Sequence, residues 1–138
     1  MSVPLAIRRA VIRRSSGRCE YCGLSQTGQE AQFHVDHVVP IASGGETVLE
    51  NLALACVSCS LRKGARSQAS DPLTGRLADI FNPRREKWSV HFQWRRNRIE
   101  GCTPTGRATV ELLKMNRLLI RAIRSEEAKQ GRHPPPHS

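Results

Sequence analysis

The sequence predicts an α+β fold: a small strand–loop–strand–helix unit held by cysteines, then a C-terminal extension of strand and helix. Three observations predict it. Two close pairs, Cys19-x-x-Cys22 and Cys56-x-x-Cys59, bracket a stretch of 33 residues. Inside that stretch Phe33 and Val35 alternate with polar neighbours, and a short apolar run follows at Leu52–Ala55. Further on, Trp88, Val90, Phe92 and Trp94 alternate with Ser89, His91 and Gln93, a period of two that signals a half-buried strand.

Taken in order, Val3, Ile7, Ala10 and Val11 recur at helical spacing, with Arg8, Arg9, Arg13 and Arg14 mostly elsewhere around the turn. Ser15-Ser16-Gly17 ends that helix, and Gly17 suits a left-handed C-terminal position. The first cysteine pair follows as a knuckle, then a polar loop over 23–30. A strand is expected over Gln32–Val38. Pro40 and Ser43-Gly44-Gly45 open a long loop to about Glu50. Leu52–Ala55 reads as the paired strand, and a short helix is expected from Val57 to about Ser67.

Asp71-Pro72 and Thr74-Gly75 mark turns and a boundary. Arg96-Asn97 turns the aromatic strand back into Ile99–Cys102. Thr103-Pro104 fits an N-cap followed by proline at the first helical position, with Thr105 an equal candidate cap. Leu112, Met115, Leu119 and Ala122-Ile123 give the next helix its apolar face. Three consecutive prolines place a disordered tail at 130–138. The expected division is therefore 1–70 for the cysteine-held unit, 71–129 for a hairpin-and-helix extension, and 130–138 for the tail.

Composition narrows the function. The chain has 138 residues, 38% hydrophobic and only 4% aromatic, so its core is modest. Small cores rely on metals or disulfides. No apolar run is long enough to cross a membrane, and Met1–Arg14 carries arginines rather than a secretory pattern. A reducing cytoplasmic setting is expected, which favours zinc over disulfides for the paired cysteines. Cys102 is left over and reads as a buried or semi-buried thiol. Net charge is +10, a surface that attracts polyanions, nucleic acid above all. The charge is uneven: residues 1–70 hold eight Lys/Arg against five Asp/Glu, and residues 71–138 hold 14 against seven.

Between the cysteine pairs stand Asp36, His37 and Asn51. Hydrolysing a phosphodiester takes a deprotonated water and positive charge beside the developing anion. An imidazole can take the proton near neutral pH, and a hard divalent cation on oxygen ligands can shield the phosphate. Neighbouring side chains of a strand face opposite ways, so Asp36 and His37 serve one site only if the strand bends or ends there. His34 with Asp36 would share one face without a bend, and ranks second.

The string Phe33-His34-Val35-Asp36-His37-Val38-Val39-Pro40, then Gly44-Gly45, Asn51-Leu52, Cys56-x-x-Cys59 and Lys63-Gly64, resembles the HNH endonuclease family with its ββα-metal (His-Me finger) core. The four-cysteine variety of that family carries a structural zinc. The resemblance covers roughly residues 15–66 and extends weakly through Asn82-Pro83-Arg84, Trp88, His91-Phe92, Gly101, Thr103-Pro104 and Gly106–Thr109, which look like the extension of small stand-alone bacterial members. It implies His37 as general base, Asn51 as the residue bracing the loop, Asp36 as ligand of a catalytic Mg²⁺ or Mn²⁺, and Cys19, Cys22, Cys56 and Cys59 as ligands of Zn²⁺. Lys63 matches a phosphate contact, with Arg62 and Arg66 beside it on the same nucleic-acid-binding helix.

One position departs. After Cys59 the family usually places His or Asn as second protein ligand of the catalytic metal; here Ser60 stands there. A hydroxyl is a shorter, weaker oxygen ligand, so a lower metal affinity is expected. The implied activity is metal-dependent cleavage of double-stranded DNA. The alternative is a zinc-stabilised nucleic-acid-binding module whose catalysis is weakened or lost.

Overall fold

The computed structural model describes residues 3–136, which form two units. One comprises the N-terminal stretch to Ala65 with 82–85; the other comprises 66–81 and the remainder from Glu86.

The first unit opens with helix α1, Leu5–Arg14, whose last turn carries Arg13 and Arg14 where the helix dipole favours cations. Ser16 and Gly17 both take positive φ. The Gly17 N–H reaches Ile12 O and the Ser16 N–H reaches Arg13 O, closing the helix as its sequence predicts. Arg8 donates to Phe33 O at 2.8 Å, and Arg14 donates to Leu49 O and Leu52 O. These arginines are clamps on the strand region rather than loose surface charge.

Strand β1, His34–His37, pairs antiparallel with β2, Leu52–Ala55. Register sets His37 opposite Leu52 and Asp36 opposite Ala53. All four β2 residues are buried, which makes this strand the centre of the first core. Helix α2, Val57–Lys63, follows at once and stops at Gly64, which has φ +53. It is shorter than the expected 57–67 because that left-handed glycine ends it. Strand, strand and helix thus form the ββα unit that the sequence predicts.

In the second unit a hairpin that the sequence left as turns pairs β3, Gln68–Ser70, with β4, Leu77–Asp79. Asp71 is fully buried at its tip. It accepts from Arg107 Nε at 3.0 Å and Nη2 at 2.9 Å, from Thr74 Oγ1 and from the Leu73 N–H.

The expected strand over 88–94 is corrected. Trp88–His91 form a helical turn, α3, and only Phe92–Arg95 is strand, β5. Trp88 and Phe92 are four residues apart, so the pattern also fits helical spacing. Trp88 stacks 5.0 Å from Trp94 and 4.9 Å from Phe92, while Val90 is left exposed. Strand β6, Arg98–Gly101, pairs with β5 across the anticipated Arg96-Asn97 turn.

Thr103 caps α4, Pro104–Leu112, by accepting the Gly106 N–H, with Pro104 in the first turn. A Cβ on Gly106 would sit 2.0 Å from His91 O, so only glycine lets α4 approach the end of α3. The single long helix expected beyond it is broken. Lys114 takes φ +49, and α5 runs Leu118–Lys129 with Leu118 and Leu119 exposed. Between them the Asn116 side chain accepts the Ile99 N–H and donates to Ile99 O, so its amide takes the place of a third strand beside β6.

The expected disordered tail is also corrected where it is described; residues 137 and 138 lie outside the described residues. Arg132 forms a bidentate pair with Glu127, and the His133 ring stands 4.8 Å from Trp94. These contacts hold the segment ahead of the prolines. Cys102, expected to be at least semi-buried, is exposed, because it follows β6 on the open side of the turn into α4.

Arg107 holds the Asp71 carboxyl far below its usual range. Such a group stabilises the fold above its unfolded value near pH 4, and that stabilisation is lost as pH falls through the folded value. Asp71→Asn should therefore lower Tm by several degrees at pH 7, by the same amount at pH 5, and by less once pH drops below about 4. Thermal melts of both proteins between pH 2.5 and 7 test this.

Candidate metal and phosphodiester site

The cysteine knuckles are built by local backbone geometry. The Cys22 N–H points at Cys19 Sγ and the Cys59 N–H at Cys56 Sγ, each at 3.4 Å. All four sulfurs lie within 4.8 Å of one another and are buried. Cys22 Sγ and Cys56 Sγ are 3.7 Å apart; a tetrahedral ZnS₄ centre with bonds of about 2.3 Å has edges of about 3.8 Å. The donor set therefore fits a structural zinc. Burial pushes the Cys19 thiol well up. Proton sharing with Cys19, Cys22 and Cys56 does the same to Cys59, so thiolates there need a counter-cation. Glu20, inside the first knuckle, accepts the Leu54 N–H and pairs with Arg84, which fastens the knuckle to β2.

Asp36 and His37 both lie inside the regular ladder, so alternation sends their side chains to different faces. His37 is the last residue of β1. Its Nε2 lies 2.9 Å from Thr47 Oγ1 in the following loop. Asp36 meets α2, where Lys63 Nζ is 3.7 Å from Oδ2. That oxygen is buried with no hydrogen-bond partner. Burial raises the Asp36 carboxyl, opposed by the charges of Lys63, His37 and His34 and by the His37 N–H.

Asn51 closes the loop between the strands. Its Oδ1 accepts the Val39 N–H at 2.8 Å, and its Nδ2 donates to Val39 O and Glu46 O. Gly45 packs so tightly in this loop that a Cβ would lie 1.8 Å from Val39 O. The glycine pair and the asparagine work together: one permits the approach, the other locks it.

Two residues are placed differently from their expected roles. Lys63, expected as a phosphate contact, is 3% exposed and donates to His37 O at 3.0 Å. Its ammonium is an internal cation, drawn in by the buried carboxylate. Ser60 Oγ, expected beside the Asp36 ion, lies 2.9 Å from His34 Nδ1. Arg62 and Arg66 are exposed, with Arg62 Nε donating to Ser58. Thr47 and Glu20 were not singled out from the sequence. Thr47 has no periodic signal, and Glu20 is hidden between two cysteines that explain the segment without it.

Within the second unit, Trp94, Arg96, Asn97, Arg121, Ser125 and His133 line a shallow open depression. Among the described residues no helix is long and apolar enough to cross a membrane.

Comparison with known proteins supports the reading of the first unit. Residues 19–66 match the model of the HNH endonuclease family. That span contains both cysteine pairs, Asp36, His37, Asn51 and Ser60. The chain is also similar to the Septu protein PtuB of Bacillus thuringiensis, at 25% identity over 114 residues. The alignment takes in 81% of this chain and 42% of that protein, so the chain spans less than half the length of this relative.

Purified protein should contain one zinc per chain by atomic emission. Cys22→Ser should lose it, together with the cooperative unfolding of the first unit followed by hydrogen exchange. Full zinc content in that variant would place the metal elsewhere.

Proposed function

We propose that the protein is a metal-dependent DNA endonuclease of the HNH type, cutting a phosphodiester bond of double-stranded DNA. The observation that carries this is the buried Asp36 oxygen without a hydrogen bond, next in sequence to a histidine held at the end of its strand. A buried carboxylate oxygen without a hydrogen bond is costly, and Lys63 at 3.7 Å offsets that only in part. A cation is the partner that would repay it.

In this reading His37 accepts the proton of the attacking water, with the Thr47 hydroxyl fixing the ring. Asn51 keeps the loop after β1 closed, so the imidazole has one orientation. Asp36, with Ser60 one turn ahead of Lys63 on α2, would hold Mg²⁺ or Mn²⁺. Such a cation supplies positive charge to the phosphate and to the leaving oxygen. Lys63 adds a fixed positive charge behind the carboxylate, while the exposed Arg62 and Arg66 would meet the DNA backbone. The zinc frame keeps β2 and α2 in place and takes no part in the chemistry.

The second reading, a zinc-stabilised binding module, draws support from Ser60. Its hydroxyl is engaged by His34, which weakens it as a metal ligand.

The two separate on supercoiled plasmid. The wild type should nick it with Mg²⁺ or Mn²⁺ and stop when EDTA is added. His37→Ala should cut at least about 10²-fold more slowly while binding DNA as before. Undiminished nicking by a pure His37→Ala preparation removes His37 as the base; binding without any nicking by the wild type selects the binding module.

A further inference from the structure

We infer that His34 is a ligand of the divalent ion held by Asp36, and that this makes the site selective for Mn²⁺ and related transition ions over Mg²⁺. The inference rests on the endonuclease reading and deepens it.

The alternation of β1 puts positions 34 and 36 on one face of the strand. On that face Asp36 meets Lys63 of α2, and His34 meets Ser60, one turn earlier on the same helix. The strand and helix thus aim one imidazole, one hydroxyl and one carboxylate into a common strip. His34 Nδ1 and Ser60 Oγ are 2.9 Å apart. The bond sets the two atoms side by side on this face, and a cation bound there would replace the proton they share.

The Asp36 oxygen supplies the second, independent indication. It is buried and has no hydrogen bond. Lys63 pairs with it at 3.7 Å but makes no hydrogen bond to it, donating instead to His37 O at 3.0 Å. The His37 ring, engaged with Thr47, is directed into the loop. Of His34 and His37, only His34 shares the Asp36 face of the strand.

A serine is a poor ligand, and a site built from one carboxylate and one hydroxyl would hold a dication weakly. An added imidazole changes both strength and choice. Nitrogen donors raise affinity along the series from Mn²⁺ towards Cu²⁺, whereas Mg²⁺ keeps to oxygen and water. His34 thus supplies the donor strength that Ser60 lacks at its own position.

The test uses the full chain with zinc retained in the cysteine site. Mn²⁺ and Mg²⁺ binding are measured by calorimetry, and Mn²⁺ coordination by electron spin-echo modulation, which detects a directly bound ¹⁴N. The wild type should bind Mn²⁺ at least about tenfold more tightly than Mg²⁺ and show imidazole ¹⁴N modulation. His34→Ala should weaken Mn²⁺ about tenfold or more and abolish the modulation, with zinc content unchanged. His34→Gln, which keeps a polar partner for Ser60 should the alanine variant fold poorly, should retain Mg²⁺ binding and still lack the modulation. His37→Ala should keep it. Modulation that survives in both His34 variants, or disappears in His37→Ala instead, overturns the assignment while leaving the endonuclease reading intact if plasmid is still cut. A wild type that takes up Mg²⁺ but no Mn²⁺ overturns the assignment alone; one that takes up neither ion overturns both.

Discussion

Two knuckles, 33 residues apart in sequence, bring four sulfurs within 4.8 Å, and the first unit hangs from that meeting point. One knuckle is tied to β2 through Glu20, whose backbone and side chain both bond Leu54. The other is the N-cap of α2 itself. A cation among the thiolates would therefore fix the start of the helix against the end of the strand, which is where a short two-stranded sheet is weakest. Isolated hairpins are marginal in water, and β1 and β2 have only four residues each. The metal frame and the fully buried β2 together compensate for a sheet too small to stand alone.

That frame was readable because its signal is chemical rather than conformational. Cysteine spacing declares a ligand set directly, and the Phe33–Val35 alternation, Gly44-Gly45 and Asn51 each have one dominant use in a strand–loop–strand unit. The extension was less legible. Trp88, Phe92 and Trp94 satisfy period two, yet Trp88–His91 coil, and the turn sets Trp88 against both Phe92 and Trp94. The break at Lys114 was hidden for a similar reason. Nothing near 112–119 disfavours helix locally; the interruption arises because Asn116 completes the exposed edge of β6. Aromatic packing at the first place and long-range hydrogen bonding at the second override the local pattern.

The site shows the same division. Asp36, His37 and Asn51 could be named from spacing, but their partners could not. Thr47 is fixed to His37 only through the fold of the loop. Lys63 looked like one more surface cation on a basic helix. Its inward turn depends on a carboxylate across the sheet that no helical periodicity records. Ser60 looked like a simple substitution of one ligand by another, and its meaning changes once His34 is seen beside it.

Burial couples the charged residues of this site to each other and to the fold. Lys63 is 3% exposed, and an ammonium so placed is tolerated only with compensating oxygen atoms. It has two: the His37 carbonyl and, more distantly, Asp36. Removing Asp36 would leave that cation with a single neutral acceptor, so the loss would disturb packing as well as chemistry. Conversely, burial raises the Asp36 carboxyl, and Lys63 counters that rise. A buried acid without a lysine behind it would tend to hold its proton and repel no cation, but also attract none. With the lysine present the acid is kept nearer ionisation, while the 3.7 Å gap leaves its buried oxygen free of a hydrogen bond. The same internal cation that makes the carboxylate available therefore also limits how tightly any second cation can be held, and that tension is what an imidazole on the same strand face would relieve.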